Sequence, residues 1–120
     1  MGEDLILISI AIGFTILLAR NYLREEFNPP EERIVYLFYA KWCAASRRML
    51  PIWNRINRHK HKNVVMQKID IDENKEMAKL YNIKFLPTIS CVINGKRRTL
   101  PINKNKYADV HNFIDRECDR

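Results

Sequence analysis

Trp42-Cys43-Ala44-Ala45-Ser46 is the stretch of this chain best suited to chemistry. A cysteine reacts as its thiolate, and a free thiol with a pKa of about 8.5 is mostly protonated at neutral pH. Nearby cations and the unpaired N–H groups of a helix N-terminus both lower that value. Helical periodicity begins at Ala44, and Lys41, Arg47 and Arg48 stand close by in the chain. Ser46 lies one helical turn beyond Cys43, where its hydroxyl can donate a hydrogen bond to the sulfur. The pattern therefore predicts an activated thiol at Cys43. A serine hydroxyl cannot displace sulfur from sulfur, so exchange begun at Cys43 would halt at a mixed disulfide until another thiol arrives. Glutathione or a partner's cysteine would have to supply it.

The remaining cysteines offer less. Three cysteines are too few and too oddly spaced for a disulfide framework, and no CxxC pair or zinc-type spacing occurs. Cys91 alternates with Ile89 and Ile93 on one strand face, which predicts a core residue. Cys118 follows Ile114 near the chain end and reads as a bystander. The His59/His61 pair does not by itself make a metal site, and neither a metal nor an organic cofactor is expected.

The elements that position Cys43 follow from periodicity. Ile34 to Ala40 is a continuous β-branched and aromatic run, hence a buried strand. From Ala44 to about His61 the pattern is helical, with Met49, Ile52, Trp53 and Ile56 at i, i+3, i+4 and i+7. Val64 to Ile71 is a second apolar strand. Glu73 to Tyr81 is a short helix with Met77, Leu80 and Tyr81 facing inward. Thr88 to Ile93 and Lys96 to Ile102 are strands joined at Asn94-Gly95, a strong hairpin turn. Lys104 to Cys118 closes the chain as a helix with Tyr107, Val110 and Ile114 on one face. Strands joined through a helix run parallel, and a hairpin runs antiparallel. The expected fold is α/β: a four-stranded mixed sheet with helices on both faces.

This order and its motifs resemble the thioredoxin family over roughly Arg33 to Arg120. "YLFYAKWCAAS" is similar to that family's strand and active-site segment, with Trp42 before the attacking cysteine, Cys43. Ser46 stands where the resolving cysteine usually sits. Pro51 matches the proline that kinks the active-site helix, and Lys68 in "QKIDID" matches a lysine often carried on the next strand. "YNIKFLPT" is similar to the segment holding the family's cis-proline, here Pro87 after Leu86. "INGK" matches the late hairpin. Four departures stand out: Ser46, Leu37 in place of the buried acid, Ala44-Ala45 in place of Gly-Pro, and Asn103 near an expected glycine. Leu37 and Ser46 are mutually consistent, because without a resolving thiol there is nothing for a buried acid to deprotonate. The family's first strand and helix are not evident, so the implied core is a minimal thioredoxin-like fold. The resemblance implies a groove in which Trp42, Ala44, Ala45, Leu86 and Pro87 contact an extended client, with Lys41, Arg47, Arg48 and Lys68 in support.

Outside residues 34–120 the pattern changes. Leu5 to Ala19 carries no charge, and extension through Arg20 to Leu23 gives a segment approaching the roughly 20 residues that span a bilayer. The expectation is an uncleaved single-pass anchor at 5–23, a four-residue tail before it and a linker at 24–33, which contains the charged run "EEFNPPEER" from Glu25 to Arg33. A signal peptide or a helix packed on a partner would also present such a run. Arg20 and Arg24 flank it on the C-terminal side only, which favours a cytoplasmic domain.

The net charge is +7, and Lys41 to Lys62 contains seven Lys/Arg and no acid. Arg47, Arg48, Arg55 and Arg58 fall on the polar side of the first domain helix. Such a face is either simply solvated or suited to anionic headgroups or an acidic client. No aromatic platform or binding motif points to nucleic acid.

Two functions remain. In one, a membrane-tethered, thioredoxin-like oxidoreductase uses Cys43 alone, acting on a client cysteine or disulfide. In the other, a non-catalytic binding or assembly module uses the Pro87 groove and the basic helix. An iron–sulfur site of the monothiol glutaredoxin kind is disfavoured, since a glycine after Cys43 is lacking and Trp42 precedes it.

Overall fold

The computed structural model describes residues 2–26, 31–59 and 61–119. The chain divides into two compact units, residues 1–30 and 31–120.

The first unit holds one helix, α1 (Gly2–Glu26). From Ile6 to Leu18 its side chains are uncharged and, apart from Ser9 and Thr15, apolar, and Ile6, Leu7, Ile10, Phe14 and Leu17 are all exposed. Among the described residues no helix is long and apolar enough to cross a membrane. The single-pass span expected at 5–23 is not shown among the described residues. The helix also continues to Glu26, into the segment expected to be linker, and residues 27–30 of that linker lie outside the described residues.

The second unit is built on β1 (Arg33–Tyr39), α2 (Ala44–Asn57), β2 (Val65–Asp70), α3 (Lys75–Leu80), β3 (Thr88–Ile93), β4 (Lys96–Thr99) and α4 (Tyr107–Phe113), followed by a π-helical turn at Ile114–Cys118. The sheet order is β2-β1-β3-β4. β1 pairs parallel with β2, and β1–β3 and β3–β4 pair antiparallel. The β3–β4 turn needs a left-handed backbone at both central positions, and Asn94 (φ 49°) and Gly95 (φ 80°) supply it.

The strand alternation sorts two layers. Val35 and Leu37 of β1, Ile89 and Cys91 of β3, Met49, Trp53 and Ile56 of α2, and Val110, Ile114 and Cys118 form one buried cluster. On the other face Tyr36 and Phe38 meet Tyr81, just past α3, with ring centroids 5.3 and 5.4 Å apart. The expected helix from Glu73 shortens to six residues, capped by Asn74, whose side chain accepts from the Met77 N–H. Leu80, expected inward, is 76% exposed, because Tyr81 takes the inward place.

The cysteines overturn a second expectation. Cys91 and Cys118 are joined as a disulfide across 27 residues of sequence, with Cα atoms 6.1 Å apart. Both are wholly buried. The stripe Val110–Ile114 continues at i+4 to Cys118, so the last turn faces the same strand as Cys91. Cys118 is part of the core, and Arg33 also donates to its carbonyl at 2.7 Å.

Among the described residues Trp53 is the largest wholly buried side chain. Trp53→Ala should therefore cost about 3–5 kcal/mol, read as a fall in the urea midpoint at unchanged m-value.

Candidate functional site

β1 and β2 are parallel, so their C-terminal ends share one edge of the sheet, and Tyr39 is in register with Asp70. The segments that follow, 40–43 and 71–73, are thereby side by side. The first is drawn tight by Cys43 N–H to Ala40 C=O, 3.2 Å. It then enters α2, with Cys43 as N-cap in an extended backbone conformation and its carbonyl accepting from Arg47 N–H at 3.0 Å. Pro51 sits within α2, where it has no N–H to give to the Arg47 carbonyl one turn back.

Cys43 is half-buried and is the free cysteine of the chain. The Ser46 hydroxyl and backbone N–H, with the Ala45 N–H, hydrogen-bond the sulfur and hold its pKa below the ordinary thiol value. The Arg47 charge adds a smaller push in the same direction, against the desolvation that partial burial imposes. Ser46 is itself wholly buried, and its Oγ accepts the Ala40 N–H at 3.3 Å. The acceptor role is thus filled from the loop, which leaves the hydroxyl proton for the sulfur. On its other side the Cys43 Sγ–H faces the Leu86 carbonyl at 3.9 Å. The Leu86–Pro87 peptide is cis.

A groove of about 400 Å³ runs beside this point, lined by Ala45, Arg48, Met49 and Ile52 of α2, by Leu86, Pro87 and Ile89, and by 100–102, 104 and 105. Its walls are apolar with cations at the rim. Ala44 and Trp42 are exposed beside the thiol, Trp42 at 66%. The indole N–H is held by Asp72 Oδ2 at 2.9 Å.

Two supporting residues fall elsewhere than expected. Lys41 does not act on the sulfur. Its ammonium is engaged by Glu73 at 3.4 Å and Asp70 at 3.7 Å, Glu73 chiefly raising its pKa. Lys68 is exposed on the edge strand β2, and among the described residues no hydrogen bond or ion pair joins it to Cys43. Arg47 also donates to the Lys41 carbonyl at 2.9 Å. Arg55 is stacked on Tyr107, 4.3 Å from the ring centroid, so the basic helix face is partly spent inside the fold. Leu37, at the position of the buried acid, is wholly buried in the apolar core.

Asp70, Asp72 and Glu73 went unnoticed in the sequence. They anchor the Lys41-Trp42 loop, and Asp70 Oδ1 also accepts the Asp72 N–H at 3.0 Å. The signal was available: an acidic run directly after a strand parallel to β1 must arrive beside the loop that follows β1.

The thioredoxin family pattern matches residues 14–116. The chain belongs to the thioredoxin family. The match begins inside α1, further towards the N-terminus than the motifs around Cys43 reach. The thioredoxin of Rickettsia bellii is 34% identical over 91 residues, covering 76% of this chain and 87% of that protein. Thioredoxin-1 of Caenorhabditis elegans is 32% identical over 80 residues, 62% of this chain and 69% of that one. A solved structure of malaria-parasite thioredoxin-2 superimposes with a TM-score of 0.61 at 26% identity, covering 75% of this chain and 87% of that one. Thioredoxin-like oxidoreductase function is supported by the family and these relatives, and such proteins act on client proteins through cysteines or disulfides. Thioredoxins typically need no cofactor for this.

A lowered thiol pKa enlarges the thiolate fraction at neutral pH. Iodoacetamide alkylation of Cys43 should reach half its maximal rate at a lower pH than a free cysteine does. Ser46→Ala should move that midpoint up toward the free value; an unmoved midpoint would show that the hydroxyl does not hold the charge.

Proposed function

We infer that this thioredoxin-family protein is a monothiol oxidoreductase tethered to a membrane through α1. The observation that carries the catalytic part is the hydrogen-bonded, half-buried Cys43 with a wholly buried hydroxyl, Ser46, one turn on. The Cys43 thiolate attacks one sulfur of a client disulfide. A Cys43–client bond forms, the client S–S bond breaks, and the second client sulfur leaves as thiolate. An external thiolate, such as glutathione, then attacks the client sulfur of that mixed disulfide. Cys43 departs as thiolate, and the client sulfur carries the incoming group. Both electron pairs stay on sulfur, and no cofactor takes part.

An internal resolving thiol is unavailable for this cycle, since Cys91 and Cys118 are bonded to each other. The client lies extended along the groove, with Trp42, Ala44 and Ala45 on one side and Leu86 and Pro87 on the other. Main-chain groups next to Pro87 pair with the client backbone, as in other strand-addition modes. Arg48 at the rim favours clients with acidic side chains near the cysteine.

The tether rests on α1. The uncharged stretch of α1 is suited to burial in lipid or protein, and Arg20, directly after that stretch, can snorkel to headgroups. Arg20 and Arg24 favour a cytoplasmic domain. Burial of both sulfurs shields the Cys91–Cys118 bond from the thiols of that compartment.

Mass spectrometry of tagged protein from cells quenched with an alkylating agent should find Cys43 in a mixed disulfide with a client or glutathione. A Cys43→Ala variant that retains full biological activity would transfer the function to the groove as a docking module. Separately, the full chain should float with phosphatidylcholine vesicles, and an Ile10→Lys/Leu17→Lys variant should stay at the bottom of the gradient. Equal flotation of both would remove the tether.

A further inference from the structure

A second cluster of chemically capable side chains lies beyond the far end of α2, about 20 Å from Cys43 at the rise of a fourteen-residue helix. His61, Asp115 and Asp119 each offer one donor atom, and these atoms all lie within 4.8 Å of one another. His61 Nδ1 is 3.4 Å from Asp119 Oδ2 and 3.9 Å from Asp115 Oδ1. The other oxygen of Asp115 is 3.2 Å from His111 Nδ1.

The His61 side chain is 7% exposed. Its Nε2 is buried and has no hydrogen-bond partner among the described residues. Its Nδ1 faces the point where the Asp115 and Asp119 carboxylates converge, so one buried ring nitrogen and two carboxylate oxygens share a small volume. Distances of 3.4 and 3.9 Å are long beside the usual N–H···O separation of about 2.9 Å. They lie nearer the edge of a tetrahedron, about 3.3 Å for donors about 2.05 Å from zinc.

We propose that His61, Asp115 and Asp119 form a zinc-type metal site that pins the C-terminal helix to the turn after α2. One imidazole and two carboxylates suit zinc and similar divalent transition metals; calcium and magnesium prefer sites made of oxygen alone. A water completes the set. His111 holds the second oxygen of Asp115 and so orients that ligand, as outer partners do at metal centres.

The local fold holds the ligands in place. Asp115 and Asp119 flank Cys118, which is fixed by its bond to Cys91 and by Arg33 on its carbonyl. The wide turn closes with Asp119 N–H on the Ile114 carbonyl, 2.9 Å. The turn thus presents both carboxylates to a buried ring. His59, the other half of the sequence pair, is exposed and stands outside the cluster.

The test uses the full chain, stripped of metal by a chelator, in a Cys43→Ser background that removes the thiol as a competing ligand. Calorimetry should show one Zn²⁺ bound per chain, Co²⁺ should give the visible bands of a tetrahedral centre, and thermal unfolding should move up with Zn²⁺. Asp115→Asn and Asp119→Asn should each weaken binding by about tenfold or more, while circular dichroism confirms the fold. His59→Gln should leave binding unchanged. No saturable Zn²⁺ binding, binding indifferent to both Asn variants, or binding abolished by His59→Gln would each overturn the site.

Discussion

The Ser46 hydroxyl connects the scaffold to the sulfur. It accepts the Ala40 N–H at the end of β1 and hydrogen-bonds Cys43 at the start of α2. A buried hydroxyl has two roles to fill, and here strand and thiol fill one each. The loop between them is short, so the place of β1 in the sheet sets the place of the thiol. Alanine at 46 would leave the Ala40 amide short of a partner as well as the sulfur. Cysteine would keep the size but weaken both bonds. The serine is thus a structural member of this site, and not merely a missing thiol.

The same economy runs through the acidic loop. Parallel pairing of β1 and β2 brings Asp70, Asp72 and Glu73 beside Lys41 and Trp42. The cation nearest in sequence to Cys43 is absorbed there. Arg47, from the helix itself, supplies the charge that reaches the sulfur. Fixing the indole by its N–H keeps a large apolar plate beside the thiol at low entropic cost, since an anchored ring has little freedom left to lose when a partner arrives.

Much of this is legible in the sequence itself. β3 has the bounds its β-branched run predicts, and Met49, Trp53 and Ile56 form the buried stripe of α2. The Asn94-Gly95 turn could be read from two residues. Local periodicity carries such information because it reflects burial on one face. Pairings between distant segments are harder. Cys91 and Cys118 each show an inward face in their own element, but their meeting depends on how α4 crosses the sheet. Lys41 departs from its expected place for a related reason: proximity in sequence to Cys43 says nothing of the acids across the sheet edge. The end of α1 was the least legible feature: the helix runs on through Arg24 and Glu25 to Glu26, where charge suggests linker.

The division of sulfur within one small domain has an outcome for how the molecule ages. Its two sealed sulfurs are already in their terminal partnership, at the centre of the packing. The third meets solvent and every passing peroxide alone. With no neighbour in its own chain to capture a sulfenic acid, over-oxidation of Cys43 is checked only by how quickly small thiols reach it. Damage at that one atom would silence the site while the fold around it stayed intact.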